Sequence, residues 1–179
     1  MSATASVQDV SVTRKAGSTD LLQLVTFGLG NEEYAVDILK VREINRLREI
    51  TKIPNAPNYL EGVINLRGRV IPVINLRSNF GLPSRDNDGQ SRIMIMDIQG
   101  LTIGVIVDYV SEVLRISQDI VEPAPAMAAG EAGNDFIRGI AKMEDRLVIL
   151  VDMDSIAGLG ARLQSIDYEQ NRSEVATAA

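Results

Sequence analysis

The chain has no cysteine, no histidine and no tryptophan in its 179 residues. Without cysteine there is neither a disulfide nor thiol chemistry. Without histidine the commonest general base, the usual triad partner and the usual transition-metal ligand are missing. Aromatic residues are only 4% of the chain while apolar residues reach 45%, so the core must be aliphatic, built from Val, Ile, Leu and Met. No run approaches the roughly 20 apolar residues of a membrane span, and the first residues lack the basic and apolar regions of a signal peptide. A net charge of −6 and a pI near 4.7 repel phosphate backbones and anionic lipid, which argues against nucleic acid as a partner. These absences describe a soluble cytoplasmic protein without a cofactor or metal, long enough for one substantial core or two small ones.

What is present is repetition. Tyr59-Leu60-Glu61-Gly62-Val63 leads through Arg69-Val70-Ile71 to Ile74-Asn75-Leu76, and Phe136-Ile137-Arg138-Gly139-Ile140 leads through Arg146-Leu147-Val148 to Val151-Asp152-Met153, 77 positions later. A second register, shifted by 71, links Thr26-Phe27 and Val36-Asp37 to Asp97-Ile98 and Val107-Asp108. Two copies of one supersecondary unit follow. Side by side, such units create a seam and two related faces, as suits a protein that joins partners.

Along the chain, residues 1–19 are rich in Ser, Thr and Ala without an apolar period and are expected to be a disordered tail. Alternation predicts a strand over Leu22 to Thr26, a turn over Gly28 to Glu33 and a strand from Tyr34 to Val36. Ile38, Val41 and Ile44 have helical spacing, with Asp37 as the cap. Ile53-Pro54-Asn55-Ala56-Pro57 must be extended. Arg67-Gly68 reads as a hairpin turn between two apolar strands, and Pro72 leaves its strand at least one unpaired position. Pro83 to Ser91 separates the copies, Pro123-Ala124-Pro125 echoes the first proline segment, and Asp154 to Ile166 has the pattern of a closing helix.

Arg67, on a hairpin tip, could anchor a partner carboxylate through its bidentate guanidinium, or could be a solvated turn residue. The second copy has Glu144-Asp145 in its place, so the repeat does not demand it. Val110-Ser111-Glu112-Val113 reproduces Val41-Arg42-Glu43-Ile44, with Val41 and Glu43 expected on different faces. Asp108, Asp152 and Asp154 are the nearest approach to a catalytic or metal cluster, although caps and turns explain them as well. Two alternatives therefore stand beside a binding module. An enzyme would need a carboxylate pair such as Asp108 with Asp152, and a small-ligand barrel would need a cavity that large aliphatic side chains tend to fill.

Leu24-Val25-Thr26-Phe27, the run Gly30-Asn31-Glu32-Glu33-Tyr34-Ala35-Val36-Asp37-Ile38-Leu39-Lys40-Val41-Arg42-Glu43-Ile44, then Ile53-Pro54-Asn55-Ala56-Pro57, Gly62-Val63-Ile64-Asn65-Leu66-Arg67-Gly68 and Gly104-Val105-Ile106-Val107-Asp108, in this order, closely resemble the CheW family of bacterial chemotaxis coupling proteins. The resemblance implies a mainly β fold: two similar five-stranded SH3-like β-barrels around a shared aliphatic core, with short helices. A CheW-like domain would span 20–156, its first barrel about 20–83 and its second about 91–155, with a C-terminal helix and tail over 157–179. It also implies a non-enzymatic adaptor, monomeric alone and part of a receptor array. Its partners would be the regulatory domain of the histidine kinase CheA and the cytoplasmic tip of chemoreceptors, which recruit it to the inner face of the membrane without insertion. By the same resemblance Glu43, Arg67, Gly104, Val110 and Val113 would serve receptor binding, Val41, Ile50, Glu122 and Met127 kinase binding, and Gly62, Gly68 and Gly139 the structure.

Overall fold

Residues 21–125 and 136–155 are described by the computed structural model. A tight turn through Gly30, at φ +63°, joins β1 (Leu21–Leu29) to β2 (Glu32–Asp37). Gly28 and Leu29, expected in the turn, extend the strand instead, because Gly28 pairs across to Tyr109 and has no side chain to displace the ring lying over it. Asp37 does cap, accepting from the Leu39 N–H at 2.9 Å, but the element it caps is a single 3-10 turn, Ile38–Lys40. The chain then extends as β3 (Val41–Arg46) rather than continuing as a helix. A bulge between Val41 and Glu43 in its pairing with the next sheet strand puts the two residues on opposite faces, and this irregularity produced the helix-like spacing.

Next come β4 (Leu60–Leu66), β5 (Arg69–Asn75) and the four-residue helix α1 (Leu76–Asn79), capped by the Asn75 side chain. The second copy supplies β6 (Arg92–Ile98), β7 (Leu101–Val107), β8 (Tyr109–Ser117), β9 (Val121–Glu122), β10 (Ile137–Lys142) and β11 (Leu147–Val151). Asp152 takes Asn75's place in the repeat and its capping role, accepting from the Asp154 N–H at 3.0 Å over a 3-10 turn, Met153–Ser155. The remainder of the expected closing helix, the C-terminal tail and the N-terminal tail lie outside the described residues.

The strands form two mixed sheets, in the orders β8-β1-β2-β11-β10-β9 and β3-β6-β7-β5-β4. This pairing corrects the division into one barrel per stretch of chain. The β1–β2 hairpin of the first copy sits between β8 and β11 of the second, and β6–β7 of the second sits between β3 and β5 of the first. The short 3-10 turn after β2 sends the chain across the seam instead of back beside β2. The junctions of this exchange are the parallel pairs β2–β11 and β5–β7. Pairing with β7 begins at Val73, so Pro72 stands just before it, where no N–H is required.

Alternation along the strands sorts the aliphatic side chains into three cores. One face of each sheet contributes to a shared core that includes Val25, Phe27, Val36, Ile74, Met94, Met96, Val105 and Val107. The opposite faces enclose separate cores, Ile64, Ile71, Val73, Ile93, Ile95 and Ile106 in the five-stranded sheet and Leu24, Ala35, Ile116, Val148 and Leu150 in the six-stranded one. The expected shared aliphatic core is thus present, while neither sheet closes into a continuous barrel.

Candidate functional site

The gaps in the two sheets are bridged by side chains. Glu43 on edge strand β3 receives Arg67 Nη1 from the β4–β5 hairpin at 2.8 Å, and Asn45 Nδ2 at 2.6 Å. Hydrogen bonds from Asn45 and Arg67 hold the Glu43 carboxyl below its ordinary pKa. Arg67 and Gly68 form the expected two-residue turn, at φ +52° and +83°. The related glutamate, Glu112 on edge strand β8, receives Arg146 Nη2 at 2.6 Å, and Arg146 also pairs with Glu33 at 2.7 Å. Both copies therefore latch an edge strand with a Glu–Arg pair, the second from an arginine two positions beyond the slot that matches Arg67. Arg67, 77% exposed, engages Glu43 through Nη1 and leaves its other donors toward solvent.

Both edge strands turn one face toward the shared core. On β6, Met94 and Met96 enter the shared core, and the pairings Val41↔Met96, Ile44↔Met94 and Arg46↔Arg92 place Val41, Ile44, Arg46 and Arg92 on that face. On β1, Val25 and Phe27 enter the same core, and their partners Val113 and Val110 share its face from the other side. Val41 and Val110 pack on the rim of the core, whereas Ile44 and Val113 are 40% and 54% exposed. Val41/Ile44 and Val110/Val113 are the same residues of the repeat, so the two edge strands carry equivalent aliphatic rows. At one end a cleft of about 240 Å³ is lined by Gln90 and Arg92 from one sheet and Tyr109 and Val110 from the other.

A clamp fixes this seam. Asp108, where the chain crosses from β7 into β8, accepts from Arg77 of α1 (Nε 2.9 Å, Nη2 2.5 Å), from Arg85 at 3.1 Å and from the Gly30 N–H at 2.8 Å. The Arg77 guanidinium is the main reason its carboxyl lies below the usual range. Asp152 caps its turn and Asp154 bonds Lys40 and the Gln99 N–H, so the three acids serve separate partners. Among the described residues no group of three potential ligands could hold a metal ion, and no helix is long and apolar enough to cross a membrane.

The glycines play other roles. A Cβ on Gly62 would lie 2.3 Å from the Thr51 carbonyl oxygen, and one on Gly139 would lie 2.8 Å from that of Glu122. Both sit at matching bulges where a second segment covers the outer strand, through Thr51↔Val63 in one sheet and β9 in the other. Gly104 is buried against Ile93 and Val73, inside the five-stranded sheet's own core. Ile50 packs over that core, Glu122 is exposed on the other sheet, and Met127 lies outside the described residues. Val41, Ile50 and Glu122 are therefore not gathered at one spot. Sequence reasoning missed the Arg77–Asp108 clamp and the Glu112–Arg146 latch. The recurrence of glutamate at 43 and 112 was the available signal for the latch.

Two edge strands that carry exposed aliphatic side chains, on a two-part SH3-like architecture, are what the described residues present. Residues 23–159 match the CheW-like domain, and the chain belongs to that family. It is 36% identical to the chemotaxis protein CheW of Klebsiella aerogenes over 146 residues, 82% of this chain and 87% of that one. With the chemotaxis protein CheW of Helicobacter pylori the identity is 34% over 143 residues, covering 80% and 86%. Among solved structures, the scaffolding protein TtCheW of Thermoanaerobacter tengcongensis superposes with a TM-score of 0.67 at 41% identity, over 74% of this chain and 84% of that one.

Proposed function

We propose that this protein is a non-enzymatic cytoplasmic adaptor that couples chemoreceptors to the histidine kinase CheA in bacterial chemotaxis. The observation that carries the reading is the pair of equivalent rows, Val41/Ile44 and Val110/Val113, that leave aliphatic side chains in water beside a filled core. A helix from the receptor tip laid in a groove walled by these rows would cover Ile44 and Val113 with its own apolar face. Glu43 and Arg67 stand at the outer side of the same edge strand, where the free donors of Arg67 can take a receptor carboxylate. Val41, Ile50, Glu122 and Met127 are assigned to kinase contacts, Gly104 to supporting the receptor face from inside, and Gly62, Gly68 and Gly139 to the backbone geometry on which both faces rest. Many weak contacts of this kind build an array by multivalency.

The test is calorimetric titration of this protein into the regulatory domain of CheA and into a receptor cytoplasmic fragment from the same bacterium. Saturable binding to both is expected, with Val113→Asp losing the receptor while keeping its fold, since Val113 is more than half exposed. Absence of binding to either partner at hundreds of micromolar would overturn the reading.

A further inference from the structure

In the β3–β6 ladder Arg46 stands directly opposite Arg92. Opposed like charges destabilise a strand pair, and a ladder built for stability alone would place a carboxylate or a neutral residue at one of these positions. Arg92 Nη1 donates to the Gly89 and Ser91 carbonyls, each at 2.9 Å, which uses hydrogen-bond donors but leaves the charge in place. Asp97 pairs with Arg42, Glu43 with Arg67, Asp88 with Arg85 and Asp108 with Arg77 and Arg85, and among the described residues no carboxylate pairs with Arg46 or Arg92. The two guanidinium groups therefore concentrate positive charge on one spot of a chain whose net charge is −6.

That spot lies in the proposed groove. Arg46 and Arg92 share the face of Ile44 and Met94, and Arg92 lines the cleft completed by Tyr109 and Val110 across the seam. Arg115, the counterpart of Arg46 in the repeat, faces Gln23 rather than a second cation, so the two ends of the groove differ in charge although its apolar walls are equivalent. We propose that Arg46 and Arg92 form a seat for a carboxylate carried by the groove's occupant. The occupant selected is an amphipathic helix with aliphatic residues for the two walls and an Asp or Glu at one end of its apolar stripe. The seat sets which way round the helix lies, a choice that two equivalent walls cannot make. The negative field of the remaining surface disfavours a phosphate polymer in the same place.

This inference rests on the receptor-groove reading above, and its test separates the two. The receptor cytoplasmic fragment is titrated with wild-type protein, Val113→Asp, Arg46→Gln and Arg46→Gln/Arg92→Gln, each over a range of salt concentrations and each with a thermal melt. The double glutamine variant is expected to bind roughly tenfold more weakly or worse, as for loss of charged hydrogen bonds, with a flatter salt dependence. Its melting temperature should rise by about 1–4 °C at low salt, because a repulsive pair has been removed. Weaker binding together with a lower melting temperature would assign the arginines to structure and overturn the seat. Unchanged affinity and salt dependence in the double variant, with binding lost in Val113→Asp, would overturn the seat and leave the groove standing. Full binding by Val113→Asp, or none by wild type, would remove the groove reading and the seat with it.

Discussion

Asp108→Ala should be among the most damaging single substitutions outside the cores. The carboxylate accepts four hydrogen bonds, two from Arg77, one from Arg85 and one from the Gly30 N–H. The Arg77 and Asp108 side chains are only 11% and 10% exposed, so truncation strands a guanidinium in the seam between the sheets. Breaking a buried pair from one side costs about 3–5 kcal/mol, which for a chain of this size lowers the melting temperature by about 6–20 °C. Denaturant melts at pH 7 give the free energy directly. The Asp108 carboxyl is depressed in the folded state, so its contribution is complete above the unfolded value near 4 and is lost as pH falls through the folded value. Asp108→Ala should accordingly flatten the decline of stability in that acid range. Arg77→Met combined with Asp108→Leu removes both charges and should be less destabilised than Asp108→Ala alone. A loss below about 1 kcal/mol for Asp108→Ala would refute the assignment of a buried clamp.

Gly62→Ala places a methyl group 2.3 Å from the Thr51 carbonyl oxygen at φ +155° and should cost about 2–4 kcal/mol in a denaturant melt. Gly68→Ala, at φ +83° with open space around it, should cost about 1–2 kcal/mol from backbone conformation alone; equal losses at the two sites would count against the close approach at Gly62. Arg146→Ala releases Glu112 and Glu33, and should speed amide hydrogen exchange at Val113 and Leu114 while leaving the global melt nearly unchanged. Unaltered exchange on β8 would show that the latch does not hold the edge.

The aliphatic core and the duplication were legible in the chain itself, and the mainly β fold with a shared core was what the family resemblance implied. The first two could be read because alternation is a local signal and duplication is visible in one chain. The stretch after Asp37 misled because Ile38, Val41 and Ile44 fit a helical period, whereas a bulge shifts a strand by one residue and produces the same spacing. The barrel boundaries misled for a different reason. Which sheet a hairpin joins is decided by long-range pairing, here the parallel junctions of β2 with β11 and β5 with β7, and local sequence carries little of it. Arg67 was legible as an exposed turn residue but its partner Glu43 was not, since 24 residues separate them in the chain.

Under the proposed reading, the exchange of hairpins explains how the groove serves for docking while its walls are edge strands. Each wall is the outermost strand of a sheet, yet the strand it pairs with belongs to the other copy: β3 is held by β6, and β8 by β1. The side chains that tie the seam follow the same logic, with Asp108 of the second copy joining Arg77 and Gly30 of the first. An edge strand is normally a liability because its unpaired groups invite any other strand. Here Glu43–Arg67 and Glu112–Arg146 pin the two edges to their own sheets. What the groove offers a partner is then a pair of aliphatic side-chain rows rather than a free ladder, which favours a helix over an added strand.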